Sequence, residues 1–455
     1  MSRRRYHFAN LGNHTPADGL INQAGRTVTL AVQRMCCMLN SGKGNFEKTE
    51  EHLKRAAGLS LSGETIRKIV EANGRKALEM AQAGVLKPVW KANDLQQDTP
   101  AAVPAPGVQT PAVAAPNRAA VDVGKASTPQ AVPGQKSKPT GPDPTLIVPV
   151  KKTPPPPQKP VYAGVDGFMV PTITDAEKRT RRKNINKKRR SMARKNPELP
   201  KPPPLPPMKA GADGPYKECK IDNFYDQDKK HRQVSVTMGN HDALGEILGR
   251  DAERLGFLLA KLRVGVGVVD GGVWIALEFI RQGLALTVLI LDFFHFAEHV
   301  HAATRAVFGV AASAARGEDH DDRNQRLENQ ETTTGKAQAQ RLKTLAKEQG
   351  YAALFNEIQE WRGRTRNPAH KKAIDALANY VAKREDSMDY PTYIANGWDI
   401  GSGPTESMCK LIPARVKGCG QRFDVDHAEE IMALEALGHS GQTERFWQLQ
   451  AVSNN

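Results

Sequence analysis

The chain has 455 residues, with 65 Lys and Arg against 49 Asp and Glu, a formal net charge of +16. That length implies two or three folded units, and the basic excess points to a polyanionic partner, of which nucleic acid is the commonest. Five cysteines without a CxxC pair exclude a disulfide scaffold or zinc ribbon and fit a reducing cytoplasm. Asp270, Glu278, Arg281 and Asp292 interrupt the most apolar stretch, 264–294, so a soluble chain without a membrane span is expected. Met1 to Arg5 is basic, but no apolar core follows it, and no secretory signal is expected.

Residues 25–85 read as three helices. Val28, Ala31, Val32, Met35, Cys36 and Leu39 fall at helical spacing, and Ser41 to Gly44 breaks the pattern. Phe46–Ala57 follows, with Leu53 on its apolar side and Gly58 as the turn. Ser62 caps a third helix that carries Ile66, Ile69 and Val70, with Gly74 near its end. With Arg67 and Lys68 on its surface, this pattern fits a helix-turn-helix DNA-binding domain over 1–90, or equally a plain three-helix bundle. Residues 91–160 are rich in Pro and Ala and read as an extended, disordered linker.

A mixed α/β pattern begins at 161. Val161–Val165 reads as a strand ending in Asp166; Glu218–Phe224 and His231–Met238 read as two more. Leu244–Leu259 is an amphipathic helix, Val264–Val269 a buried strand ending in Asp270, Gly272–Gln282 a helix, and Leu284–Leu291 a strand ending in Asp292. Helical patterns run from Phe294 to Arg384, and Glu406 opens a last helical region after Gly401-Ser402-Gly403-Pro404. This order matches an α/β ribonuclease-H-like fold. Its first part would span 161–293 with a basic insertion at 177–212, followed by a helical insertion at 294–395 and a C-terminal catalytic helix region at 396–455.

Asp166, Asp270 and Glu406 are the candidate catalytic and metal-binding acids, 270 − 166 = 104 and 406 − 270 = 136 residues apart. In an α/β sheet the carboxyl ends of strands converge on one edge, where sites form. Gly167, Gly271, Gly272 and Gly403 leave room beside the acids. Three carboxylates suit a pair of Mg²⁺ (or Mn²⁺) ions about 3.5–4 Å apart, which clamp the attacking and leaving oxygens of phosphodiester cleavage. Taken singly, each acid reads sooner as a turn residue or helix cap; the three in this topological order reverse that reading.

The segment Asn396-Gly397-Trp398-Asp399-Ile400-Gly401-Ser402-Gly403-Pro404-Thr405-Glu406-Ser407 resembles the signature of the ISKra family of bacterial insertion-sequence DDE transposases, which are related to Mutator-like elements. Arg415–Phe423, Val165–Pro171, Val269–Ile275, Leu291–His295 and Tyr216-Lys217-Glu218-Cys219-Lys220 resemble it as well. The resemblance implies a catalytic triad of Asp166, Asp270 and Glu406 that cleaves DNA and transfers strands. Asp292, His295 and Glu218 would border the site, and Asp292 is the rival to Asp270 because both end apolar strands. It also implies double-stranded DNA partners (transposon ends and target), a homodimer or higher homo-oligomer, and a nucleoid-associated location in the bacterial cytoplasm. The family's N-terminal cysteine-paired zinc element has no counterpart here, since Tyr6 to Asp18 holds only His7 and His14.

Residues 178–195 hold eleven Lys and Arg and no acid, among them Arg181, Arg182, Lys187, Lys188, Arg189 and Arg190. They are expected to form a phosphate-binding arm. Arg415, Lys417 and Arg422 are expected near the scissile phosphates, and Trp398 and Phe423 either stack on unpaired bases or pack as core. A zinc pair at His295 and His299 is not favoured, because no HExxH is present. A nuclease without strand transfer and a domesticated DNA-binding protein are the competing functions.

Overall fold

The computed structural model describes residues 28–95, 159–267, 278–310 and 320–452, apart from 43, 93–94, 199, 201 and 419. It also describes two short antiparallel strands near the N-terminus, β1 (Tyr6–Phe8) and β2 (Gly12–His14). The expected linker falls almost wholly outside the described residues. No helix among the described residues is long and apolar enough to cross a membrane.

Three capped helices open the main body. α1 (Leu30–Asn40) starts at Thr29, α2 (Phe46–Ala57) at Asn45 and α3 (Gly63–Gln82) at Ser62, each cap side chain accepting a backbone N–H of the first turn. Gly58 ends α2 at φ 63°, a left-handed conformation that glycine adopts without a Cβ penalty. Gly74 does not mark the end of α3; it sits buried inside the helix, where a Cβ would collide with the Glu430 backbone. That close approach presses α3 against a C-terminal helix.

The five-stranded sheet has the order β5-β4-β3-β6-β7, built from β3 (Val161–Pro171), β4 (Tyr216–Asp226), β5 (Arg232–Thr237), β6 (Arg263–Gly267) and β7 (Val288–Leu291). β3 pairs antiparallel with β4 and parallel with β6, and β7 is parallel to β6. β3 is longer than the sequence implies and runs on through Asp166. β6 ends level with Val165, so β3 and β4 continue past the rest of the sheet as a two-stranded ribbon.

The two faces of β3 follow its period of two. Val161, Ala163 and Val165 pack with Leu244, Leu248 and Ala252 of α5 (His241–Leu255). Phe168 and Val170 join Cys219 and Ile221 in the second core. That core also takes in Cys36, Leu53, Ile66 and Val70 from α1–α3. The N-terminal helices, read from sequence as a separate domain, therefore belong to the same compact unit as the sheet.

α4 (Asp175–Lys195) leaves the ribbon after β3. The basic segment is thus a helix, opened by a capping box between Thr174 and Glu177, and none of its residues is buried. After β7 come α6 (Phe293–Phe308), α7 (His320–Asn329), α8 (Thr333–Arg364) and α9 (Pro368–Ala382), with Leu354, Ile358, Trp361, Ile374, Leu377 and Val381 buried. The chain closes with α10 (Tyr390–Ala395), α11 (Gly403–Leu411), α12 (Val425–His439) and α13 (Thr443–Val452).

Candidate metal centre

The centre is assembled from β3, the turn after β7, and the first turn of α11. Even-numbered residues of β3 face α11. At Gly164 the two elements touch so closely that a Cβ would collide with Thr405 Oγ1, and Thr405 is itself buried and accepts from Asn223 at 3.3 Å. This seats the first turn of α11, and with it Glu406, over the strand that carries Asp166. Gly403 has open space around its Cα, so it is not needed for close approach.

Asp292 is fully buried and ties the site together. Its Oδ1 accepts the backbone N–H groups of Phe294 (2.6 Å) and His295 (3.4 Å), capping α6. Its Oδ2 accepts the Ser402 backbone N–H at 2.9 Å and the Ser402 hydroxyl. Ser402 Oγ also lies 3.3 Å from Glu406 Oε1, so its one hydroxyl proton is shared between the two carboxylates. One carboxylate thus fixes the start of α6 to the loop that begins α11.

Asp292, His295 and Glu406 each offer a ligand atom within 4.8 Å of the others. Asp166 lies beside this group, close enough for the charges of His295 and Glu406 to act on it; its Oδ1 accepts the Gly167 N–H at 2.7 Å, and its Oδ2 accepts from the Cys409 thiol at 3.3 Å. Cys409 and Ser402 were not singled out in the sequence; only their i+3 and i−4 spacing from Glu406 could have flagged them.

Burial lifts the Asp166 carboxyl above its usual range, and the charge of Glu406 adds to the lift. Burial pushes Asp292 the same way, but His295 and the hydrogen bonds from Ser402 outweigh it and hold that carboxylate below its usual range. His295 is raised, chiefly by Asp292, whose Oδ2 lies 3.4 Å from its Nδ1. Three carboxylates therefore face one imidazole, and the nearby Lys410 ammonium is 4.0 Å from Glu406 on a side chain 80% exposed. The excess of negative charge and the oxygen donors of Asp166, Asp292 and Glu406 fit a hard divalent cation.

Asp270 lies outside the described residues, three positions past Gly267, whose neighbour in register is Val165. Glu218 sits on β4 with its carboxylate near Gly167, engaged by Lys220 at 2.8 Å.

Several expected phosphate contacts are occupied within the protein. Arg415 is 1% exposed; it donates to Asn40 and Gln421 and lies over the Phe46 ring, so it is a core residue and not a phosphate ligand. Arg67 is held by Glu64 and Glu71, Lys68 lies 3.5 Å from Glu64, and Arg422 pairs with Glu177. Arg182 and Arg189 donate to backbone carbonyls. Lys417 lies over the Phe168 ring and stays exposed. Arg181, Lys187, Lys188 and Arg190 remain exposed on α4. Phe423 joins the core and pairs with Thr172, and Trp398 stacks on Tyr393, so both pack internally. His299 stacks on Tyr380.

In comparisons with known proteins, no family model and no curated protein matches the chain.

Proposed function

We propose that the protein is a metal-dependent DNA transposase of the DDE type, acting on double-stranded DNA. The convergence of Asp166 and Glu406, 406 − 166 = 240 residues apart in the chain, beside Asp292 and His295 at one sheet edge supports this most directly. The strand order and the placement of Asp166 on the central strand are those expected of a ribonuclease-H-like sheet.

Asp166 and Glu406 are the metal-facing carboxylates in this proposal, with Asp270 as the third. Divalent ions held there supply Lewis-acid activation of the attacking and leaving oxygens. Asp292 is a positioning residue, since its lone pairs are committed to the α6 cap and to Ser402. The Gly167 N–H and the Cys409 thiol orient Asp166. His295, 3.4 Å from Asp292, sits beside the carboxylates where it would meet the phosphate as it enters.

The deciding experiment incubates the full chain with duplexes carrying the DNA that flanks its coding region, with Mg²⁺ or Mn²⁺. Nicking at the ends and joined products are expected, and both should vanish in Asp166→Asn and Glu406→Gln. Cleavage without joined products would leave a nuclease. Cleavage that survives both substitutions would remove the acids from the chemistry. Loss in Asp292→Asn, with full activity in Asp270→Asn, would exchange the roles of those two residues.

A further inference from the structure

α4 carries eleven basic residues on 21 positions, yet its faces are not equivalent. After Asn196 the chain turns back along the helix as a proline-rich strap. Pro203 and Pro206 carbonyls accept from Arg189 and Arg182, the Leu205 carbonyl also accepts from Arg182, and Lys209 and Ala210 carbonyls accept from Lys178. Proline has no N–H, so such a strap offers carbonyls and suits guanidinium and ammonium donors. Lys178, Arg182 and Arg189 lie at +0, +4 and +11, one helical face, and the strap covers it.

On the opposite face Lys183, Lys187, Arg190 and Arg194 lie at +0, +4, +7 and +11. All four are exposed, and no hydrogen bond or ion pair engages them among the described residues. The acids of the helix are both in its first turn and are committed: Glu177 to the capping box and Arg422, Asp175 to the Gly211 N–H. Flanked by Arg181, Lys188 and Lys195, which are also exposed, these four form a basic stripe about 16 Å long at 1.5 Å per residue. Duplex DNA places a phosphate every 3.4 Å along each strand, so the stripe spans roughly five phosphates.

Its position matters as much as its charge. The helix springs from the tip of the β3–β4 ribbon, which projects beyond the acids. Pro171 lies five residues past Asp166, about 17 Å along an extended strand. At about 3.4 Å per base pair, the root of α4 stands roughly five base pairs from a phosphate held at the acids.

We propose that the strap selects the working face of α4, leaving Lys183, Lys187, Arg190 and Arg194 as a stripe that grips the backbone of duplex DNA some five base pairs or more from the cut. The proposal rests on duplex DNA being the substrate of the acid centre. The test compares the full chain with two variants. One carries Lys183→Gln, Lys187→Gln, Arg190→Gln and Arg194→Gln; the other carries Arg182→Gln and Arg189→Gln. Duplex binding is measured by anisotropy over a series of salt concentrations, with helix content and melting temperature as controls. The fourfold variant should keep its fold and flatten the slope of log affinity against log salt by about 3–4 units. The twofold variant should lower the melting temperature and change the slope by less than about one unit. Interference mapping with backbone-modified duplexes should lose its signal five or more base pairs from the cut in the fourfold variant only.

An unchanged slope in the fourfold variant overturns the proposal, as does an equal loss in the twofold variant. Loss of binding to anionic vesicles or an acidic polypeptide, with duplex binding intact, also overturns it and assigns the stripe to that partner. If the parent chain never cleaves DNA but the slopes behave as stated, the transposase reading fails while the stripe stands.

Discussion

Asp292, fully buried, and Asp166, partly buried beside it, have opposite energetic roles. Burial and the charge of Glu406 both raise Asp166, so its ionised form costs stability, and Asp166→Asn should abolish cleavage while leaving metal-free melting temperature unchanged or higher. Asp292 caps a helix and anchors Ser402, so Asp292→Ala should cost about 2–4 kcal/mol of stability, measured by chemical denaturation in a chelator. Arg415 behaves similarly. Burial lowers it to about 10, so it stays charged at neutral pH among Asn40, Gln421 and two aromatic rings. Arg415→Gln should destabilise by about 2–4 kcal/mol and leave the salt dependence of DNA binding unchanged.

Away from the site, Asp222 is fully buried with Oδ2 unpartnered, and burial together with Asp251 raises it well above its usual range. The folded state therefore binds a proton that the unfolded chain releases near pH 3.8. Stability from this group is complete below that value and declines as pH rises toward the folded value. Asp222→Asn keeps an oxygen for the Ser235 N–H and removes the charge. Its melting temperature should exceed that of the parent by a margin that widens from pH 4 to pH 8; a constant or shrinking margin would contradict the assignment.

At the scale of elements, two glycines decide how helices meet their neighbours. Gly164 lets α11 sit on β3, and Gly74 lets α3 sit on α12. In an exposed helix Gly→Ala stabilises by about 0.8–1 kcal/mol, but here the added methyl meets a side-chain oxygen in one case and backbone in the other. Gly164→Ala should displace Glu406 and reduce cleavage by an order of magnitude or more, with metal-induced thermal stabilisation reduced in parallel. Gly74→Ala should lower stability by about 2–3 kcal/mol and leave the metal response of the folded fraction intact.

For the whole molecule, the shared core sets the limits of dissection. Cys36, Leu53, Ile66 and Val70 pack in the same cluster as Phe168, Ile221 and Ile431. Deleting residues 1–90 would expose that face of the sheet and of α12, so the shortened chain should aggregate or unfold well below the melting temperature of the intact one. A cooperative, fully stable fragment would show that the N-terminal helices are separable after all.

Local sequence determined the elements, because caps, glycine turns and apolar periodicity act over a few residues. Ser62 before α3, Gly58 after α2, the apolar run of β6 and the break before α11 were all legible, as was the candidacy of Asp166 and Glu406. The basic segment was legible as charge but not as a helix, since its regularity comes from a capping box and a strap that pairs with it across a turn. Which arginines are free was decided only by tertiary structure: Arg415, Arg182 and Arg67 look alike in sequence, and long-range or cross-helix partners remove each from the surface pool. So too was the joining of Ser402 and Cys409 to the acids, whereas Asp292 and His295 were already expected beside them. A side chain's partners depend on which elements pack together, and that follows from burial of the whole chain rather than from its neighbours in sequence.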